Sequence, residues 1–141
     1  MNVQMIKQQG ISGSPLKPDV RIPMIATRDI AKVAVEHLLS QSLPGIVVRE
    51  LLGQRDLSMS EVTQILGKAM GKPELKYVQF PYESARDAMV KMGLSASMVD
   101  LFIEMYTAIN EGKMMRDLVR SAENTTATSI ETFVREVALA W

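Results

Sequence analysis

The 141-residue sequence contains no cysteine and a single histidine, His37. Without cysteine there is no disulfide, no thiolate nucleophile and no cysteine-ligated metal. One histidine cannot build a metal site of several histidines, so we interpret His37 as a residue at the edge of the core. The sequence therefore predicts no metal site, and the absence of cysteine is consistent with a reducing cytoplasm.

The sequence also has no excess of charge and no long hydrophobic run. Lys+Arg and Asp+Glu are both 16, whereas nucleic-acid binding depends on Lys and Arg that neutralise phosphates. No apolar run approaches the roughly 18 residues that a membrane span needs, and residues 1–10 are too polar for a secretory signal. We therefore expect a cytoplasmic protein that binds neither nucleic acid nor membrane.

Hydrophobic residues make up 47% of the chain, and their spacing predicts a helix-rich α/β fold. Helical periodicity follows Thr27, Ser58, Tyr82, Ser95 or Ser97, and Thr128, while short apolar runs at 22–26, 46–52 and 75–80 are typical of strands. Because strands alternate with helices, parallel pairing is favoured. We expect a small parallel sheet of two or three short strands with about five helices. Residues 1–141 would form a single domain whose residues 1–21 are an irregular N-terminal segment, with a turn at 12–15.

The usual catalytic signatures are missing. No G-x-G-x-x-G follows a strand, so the glycine turn that binds a dinucleotide is absent. Residues 67–72 (GKAMGK) resemble a phosphate-binding loop, but the glycines are too close together and the segment is expected to lie on a helix. No tyrosine precedes a lysine by four residues, as in the pair that many reductases use. We therefore predict no catalytic residue, no cofactor-binding residue and no cofactor for the isolated chain.

One candidate binding site remains. Tyr82, Met105 and Tyr106 place aromatic and thioether surface at helical positions next to apolar stripes, and such groups suit a small apolar ligand. The same side chains suit a hydrophobic core or a dimer contact equally well.

Three segments carry a resemblance to the NmrA-like proteins, a family of atypical short-chain dehydrogenases/reductases. Residues 22–31 (IPMIATRDIA) are similar to a family strand that leads into a helix. Residues 51–58 (LLGQRDLS) resemble the following strand and its entry into a helix, and residues 124–133 (NTTATSIETF) resemble the start of the closing helix. The resemblance extends from about residue 8 to the end of the chain.

The resemblance implies the C-terminal, substrate-side half of such a protein, which supplies later strands of the sheet and a helical lid over a substrate cleft. Complete family members carry a preceding Rossmann half, bind NAD(P), and act as quinone or dye reductases or as redox-sensing regulators. Because the dinucleotide-binding glycine turn is missing, we favour a non-catalytic domain that is derived from this half and binds a small molecule or a protein. One alternative is part of an NAD(P)H-dependent quinone or dye oxidoreductase with a separate Rossmann partner chain, and another is a structural dimerisation protein.

Strands cut off from the rest of such a sheet would expose unpaired N–H and C=O groups, which recruit another strand. We therefore predict a homodimer with residues 46–52 or 75–80 at or near the interface, or a rearranged helix that covers the exposed strand. The methionine-rich residues 97–111 are the next candidate contact surface.

Overall fold

The computed structural model describes residues 3–40 and 45–138. Its elements are α1 (Val3–Gln9), β1 (Ile11–Ser14), β2 (Arg21–Ile22), α2 (Thr27–Leu39), β3 (Leu57–Ser58), α3 (Met59–Ala69), β4 (Lys76–Gln79), α4 (Tyr82–Lys91), α5 (Ala96–Asn110), a 3-10 turn (Lys113–Met115) and α6 (Ile130–Ala138). The predicted helix-rich α/β fold with a small parallel sheet is confirmed. No helix in these two ranges is both long and apolar enough to cross a membrane.

The chain divides into two compact units. Unit 1 comprises Met1–Arg21 and Ser58–Leu118, and unit 2 comprises Ile22–Leu57 and Val119–Trp141. The single domain expected from the sequence stays a prediction.

The parallel sheet of unit 1 pairs β1 with β4, in a register that sets Ile11 opposite Lys76 and Ser14 opposite Gln79. The predicted strand at 75–80 is confirmed. The predicted turn at 12–15 is wrong, because β1 lies there, whereas the short helix that the sequence allows before Gly10 is present as α1. Gly13 explains part of the error: a Cβ there would overlap the Phe80 ring and come within 2.8 Å of the Val78 carbonyl oxygen. The glycine serves close packing in the strand rather than a turn.

A second two-stranded sheet pairs β2 with β3. Of the run expected to form a strand at 22–26, only Ile22 lies in β2. The predicted strand at 46–52 is wrong, since these residues form no regular strand and only Leu52 makes an isolated parallel bridge, with Thr125. A strand needs a neighbour for its N–H and C=O groups, and no strand pairs with residues 46–51 in the described part of the chain.

The core of unit 1 is organised around α3. The Ser58 hydroxyl accepts a hydrogen bond from the Glu61 amide at 3.2 Å, and the Glu61 carboxylate accepts one from the Ser58 amide at 2.7 Å. This capping box satisfies two free N–H groups at the start of the helix. Val62 and Leu66 lie on the inner face of α3 and are fully buried, as the helical periodicity after Ser58 predicts.

Helices α4 and α5 form a hairpin in unit 1. Gly93, which has a φ of +90°, follows the last turn of α4 at the position where a left-handed residue commonly ends a helix. The Ser95 hydroxyl then accepts a hydrogen bond from the Met98 amide and caps α5. Arg86 of α4 forms an ion pair with Asp100 of α5. The hairpin sets Tyr82, the first residue of α4, beside the end of α5.

Candidate functional site

The carboxyl ends of β1 and β4 form a shared edge in unit 1. The ladder continues one residue past β4, because the Phe80 amide donates to the Ser14 carbonyl oxygen at 2.9 Å. Ligands of α/β proteins commonly bind outside the carboxyl ends of parallel strands. The groups that converge at this edge therefore form a candidate binding site.

Tyr77 of β4 reaches across this edge to the loop after β1. Its hydroxyl donates to the Leu16 carbonyl oxygen at 2.7 Å and lies 2.7 Å from the Ser14 hydroxyl oxygen. Burial raises the pKa of Tyr77 above its ordinary value; hydrogen bonds with Ser14 oppose part of this rise, and the electrostatic effect of Tyr106 adds to it. Tyr77 is therefore a neutral hydrogen-bonding group near pH 7.

Asn110, the last residue of α5, joins three segments of unit 1. Its Oδ1 accepts from the Lys17 amide at 2.7 Å. Its Nδ2 donates to the Pro15 carbonyl oxygen at 3.0 Å and to the Tyr82 hydroxyl at 2.8 Å. One amide side chain thus holds the loop after β1, the end of α5 and the start of α4 together.

The predicted site residues are distributed as follows. Tyr82 begins α4, while Met105 and Tyr106 lie on α5, and all three are half-buried. Tyr82 is joined to Asn110, and Tyr106 lies close enough to Tyr77 to affect its pKa. The structure therefore brings two of the three predicted residues into a group that includes every tyrosine of the chain. Met105 precedes Tyr106 on the helix and points about 100° away from it. The part of all three in ligand binding stays a prediction.

Sequence reasoning missed Ser14, Tyr77 and Asn110. A signal for Tyr77 was present, since alternation along a strand places Tyr77 and Gln79 on the same face. The Gln79 side chain also contacts the loop after β1, donating to the Pro15 carbonyl oxygen at 3.3 Å. We call Tyr77, Tyr82 and Tyr106, together with Ser14 and Asn110, the tyrosine cluster.

The chemistry of the tyrosine cluster favours binding over catalysis. It offers phenol, hydroxyl and amide groups, but no carboxylate or imidazole takes part in its hydrogen bonds. General acid–base catalysis works best with groups whose pKa lies near the working pH, and the raised pKa of Tyr77 moves this phenol away from neutrality. The cluster is suited to contacting an aromatic surface and donating hydrogen bonds.

Unit 2 has two adjoining clefts. The smaller has a volume of about 230 Å³ and the larger about 670 Å³, and both are lined by Arg49 and Glu123. The Arg49 guanidinium lies 3.0 Å from Nε2 of His37 and donates to the Glu123 carbonyl oxygen at 3.1 Å. These clefts contain none of the predicted site residues, and His37 is half-buried and paired with Arg49.

The segment that resembles a phosphate loop lies at the C-terminal end of α3. The Lys72 amide donates to the Gly67 carbonyl oxygen at 2.7 Å, and Gly71 takes a φ of +67° to end the helix. This end of a helix carries free carbonyl groups, whereas a phosphate binds to the free N–H groups of the other end. The structure therefore agrees with the interpretation that this segment is helical and does not form a phosphate loop.

Comparison with known proteins relates the chain to dye-reducing enzymes. No family model matches it. It is 34% identical over 111 residues to an NAD(P)H azoreductase of Xenophilus azovorans, an alignment that covers 75% of this chain and 36% of the relative. The sequence resemblance to a reductase family is thus supported by a reductase relative.

Solved structures agree at the level of the fold. The triphenylmethane reductase of Citrobacter sp. matches 99% of this chain with a TM-score of 0.72 and 14% identity, over 47% of its own length. The same enzyme complexed with NADP(H) matches 95% of this chain, also with a TM-score of 0.72. At this identity the match shows a common fold alone. The chain spans between about a third and a half of the length of these relatives, and its origin is related to that of NAD(P)H-dependent reductases.

Proposed function

We propose that the chain binds a planar aromatic small molecule at the tyrosine cluster and does not itself bind the nucleotide or transfer hydride. The observation that carries the proposal is the hydrogen bonding at the carboxyl edge of the β1–β4 pair, where Tyr77 pairs with Ser14 and Tyr82 pairs with Asn110. In this role the chain corresponds to the substrate-side, C-terminal half of an NmrA-like reductase. A cytoplasmic location and self-association as a homodimer also stay predictions.

The side chains of the tyrosine cluster suit such a ligand. Aromatic rings bury large areas and prefer offset or edge-to-face contacts with other rings, while a phenol adds a directed hydrogen bond. A ligand with flat rings and an oxygen or nitrogen acceptor would use both properties, and quinones and azo dyes have this composition. The relatives support this choice, since one is an azoreductase and the other a reductase of triphenylmethane dyes.

We do not assign nucleotide binding to this chain, because a pyrophosphate needs a glycine-rich turn at the start of a helix. None of the eight glycines forms a G-x-G-x-x-G pattern. The relatives are two to three times the length of the matched segment, so their nucleotide site does not have to lie within the part that this chain resembles.

Calorimetric titration of the purified chain tests the proposal. We expect binding of 1,4-naphthoquinone and of an azo dye such as methyl red, and no binding of NADPH. Tyr82→Phe removes the hydroxyl partner of Asn110 and should weaken binding by about fivefold, the effect of one hydrogen bond. Tyr106→Leu removes an aromatic face and should weaken it by about the same factor or more.

Leu101→Ala is the matched control, because Leu101 lies on α5 but is 60% exposed and should leave both affinities unchanged. Circular dichroism would verify that each variant is folded. Binding of NADPH by the chain alone, with reduction of the quinone, would overturn the non-catalytic assignment. If neither aromatic compound binds, the ligand assignment is wrong.

A further inference from the structure

The hydrogen-bond partners within the tyrosine cluster determine where its hydroxyl protons point. A tyrosine hydroxyl has one proton to donate and an oxygen that accepts, and an asparagine amide has a donor end and an acceptor end. A backbone N–H can only donate and a carbonyl oxygen can only accept. Each contact with the backbone therefore sets the direction of one hydrogen bond, and the directions of the others follow.

The Tyr77 hydroxyl uses both of its functions inside the protein. Its proton is donated to the Leu16 carbonyl oxygen at 2.7 Å, with the Ser14 carbonyl oxygen as a longer second acceptor at 3.3 Å. The Ser14 hydroxyl, 2.7 Å away, therefore donates to the Tyr77 oxygen, and it accepts in turn from the Leu16 amide at 3.2 Å. This arrangement leaves Tyr77 without a proton for a ligand.

Asn110 bonds to the Tyr82 hydroxyl in the opposite sense. Its Oδ1 accepts from the Lys17 amide at 2.7 Å, so Nδ2 is the end that meets the Pro15 carbonyl oxygen at 3.0 Å and the Tyr82 hydroxyl at 2.8 Å. Turning the amide over would set its oxygen against the Pro15 carbonyl oxygen and its NH₂ group against the Lys17 amide. Two backbone groups thus determine its orientation, and Tyr82 accepts the hydrogen bond from Asn110.

The proton of the Tyr82 hydroxyl is therefore available to a ligand. Within residues 3–40 and 45–138, no protein group accepts it in a hydrogen bond. Tyr82 is only half-buried, and Asn110 holds it beside the loop that follows β1. A few directed polar groups in a mainly apolar site commonly set the orientation and the specificity of a small ligand, and an unused donor at this edge is suited to that role.

We propose that Tyr82 donates the hydrogen bond that selects the ligand and that Asn110 positions it by holding the phenol oxygen. The site then prefers planar aromatic molecules that carry an acceptor, such as a quinone carbonyl oxygen, over hydrocarbons of the same shape. Tyr77 supports the loop after β1 and makes no hydrogen bond to the ligand. This inference rests on the aromatic ligand proposed above, and it adds which hydroxyl group makes the polar contact and in which direction.

The first measurement needs no ligand. In a mixture of H₂O and D₂O, the ring carbon that carries a slowly exchanging tyrosine hydroxyl gives two NMR signals, whereas a rapidly exchanging hydroxyl gives one averaged signal. With carbon-13 in the tyrosines and assignment by Tyr→Phe variants, we expect two signals for Tyr77 and one for Tyr82. Two signals for Tyr82 would show that its proton is already bonded within the protein, and this would overturn the proposal.

The second measurement compares 1,4-naphthoquinone with naphthalene, which has the same two fused rings and no acceptor. The chain has no cysteine, so a thiol cannot add to the quinone. Ligand-observed NMR titrations give both dissociation constants, and we expect the quinone to bind about fivefold more tightly, the effect of one hydrogen bond. Tyr82→Phe should remove this preference by weakening the quinone alone. Tyr77→Phe should shift both affinities by the same factor and keep the preference.

Asn110→Asp tests the positioning role. A carboxylate still accepts from the Lys17 amide, but it can only accept from Tyr82, so the phenol proton turns toward residue 110 and is lost to the ligand. We expect the preference for the quinone to disappear while naphthalene still binds, and Tyr82 to give two hydroxyl-exchange signals. Tyr82→Phe leaves the contacts of Asn110 with the backbone in place, and it carries the test if Asn110→Asp does not fold. Leu101→Ala is again the control and should keep the preference.

Three results of the titrations would overturn the proposal. Equal binding of the quinone and naphthalene by the unmodified chain, or a preference that persists in Tyr82→Phe, would show that Tyr82 does not select the ligand, although the cluster would still bind aromatic molecules. Binding of neither compound would overturn the proposed function and this inference with it.

Discussion

The two units of the chain differ in how many of their apolar side chains are buried. Unit 1 buries eight hydrophobic residues within its described part: Ile6, Leu16, Met59, Val62, Leu66, Leu75, Met89 and Val99. Within its described part, unit 2 buries three and exposes eight large ones: Ile30, Val35, Leu38, Leu39, Ile46, Val47, Val48 and Val119; the described part of unit 1 exposes six. Since hydrophobic burial is the main favourable term in folding, unit 1 has the larger core, while unit 2 leaves more of its large apolar side chains exposed.

The functional features follow the same division. In unit 1, a packed core and a capped α3 support the edge at which the tyrosine cluster lies. In unit 2, the apolar surface is combined with hydrogen bonds that join distant segments, such as those between Asp29 of α2 and Thr128. The candidate ligand site therefore lies in unit 1.

The largest expected effect compares the two units through the same substitution. Leu66→Ala in α3 should lower the free energy of unfolding by about 2–5 kcal/mol, because Leu66 is 1% exposed and its removal leaves a cavity. Leu38→Ala in α2 should change it by less than about 0.5 kcal/mol, as at other exposed positions. Urea unfolding followed by circular dichroism measures both, and a loss above about 2 kcal/mol for Leu38→Ala would contradict the division.

The second prediction concerns the close packing that unit 2 does have. A Cβ at Gly53 would overlap the Met24 carbonyl oxygen and lie 2.6 Å from its carbonyl carbon, so the backbone would have to move. We expect Gly53→Ala to destabilise the chain by about 2–3 kcal/mol.

The control for Gly53 is Gly45→Ala in the same unit. Gly45 has a φ of +85° and open space around it, so only the left-handed backbone opposes a side chain, at a cost of about 1 kcal/mol. Thermal unfolding measures both variants. If Gly53→Ala and Gly45→Ala destabilise the chain equally, lack of space for a side chain does not explain the glycine at position 53.

The third and smallest effect depends on pH. Partial burial opposes ionisation of Asp29, but hydrogen bonds from the Thr128 hydroxyl at 2.7 Å and amide at 3.1 Å outweigh it and lower the pKa of Asp29. A lowered pKa stabilises the fold above the unfolded value of about 3.9 and loses that stability as pH falls through the folded value.

Asp29→Asn should therefore cost about 1 kcal/mol at pH 7, and the difference from the natural chain should shrink below about pH 4. Parallel urea titrations at pH 7 and pH 3 measure it. A difference that stays constant between these pH values would show that the charge of Asp29 does not contribute.

The sequence predicts those elements whose signals are local. The capping box of Ser58 and Glu61 and the apolar spacing after it are contained in α3 itself, and Gly93 indicates the end of α4 without outside information. Strand β1 was missed because Ser12, Gly13 and Ser14 have the composition of a turn, and only the Phe80 ring, far along the chain, explains the glycine.

Residues 46–52 show the opposite error. Their β-branched composition predicts a strand, but a strand forms only beside a partner strand, and composition carries no information about that partner.

The tyrosine cluster was predicted only in part, because some of its contacts join segments that are far apart in the sequence. Tyr82 and Tyr106 could be identified as aromatic residues near apolar stripes, whereas the roles of Ser14 and Asn110 depend on hydrogen bonds between residues 28 to 95 positions apart.

Hydrogen exchange of the chain alone, measured with and without 1,4-naphthoquinone, tests the division between the two units most directly. Amides of α3, β1 and β4 should exchange slowest, those of α2 and residues 46–50 fastest, and the quinone should slow exchange near Ser14, Tyr77 and Asn110. Exchange as slow in α2 and residues 46–50 as in α3, with no effect of the quinone in unit 1, would contradict the account.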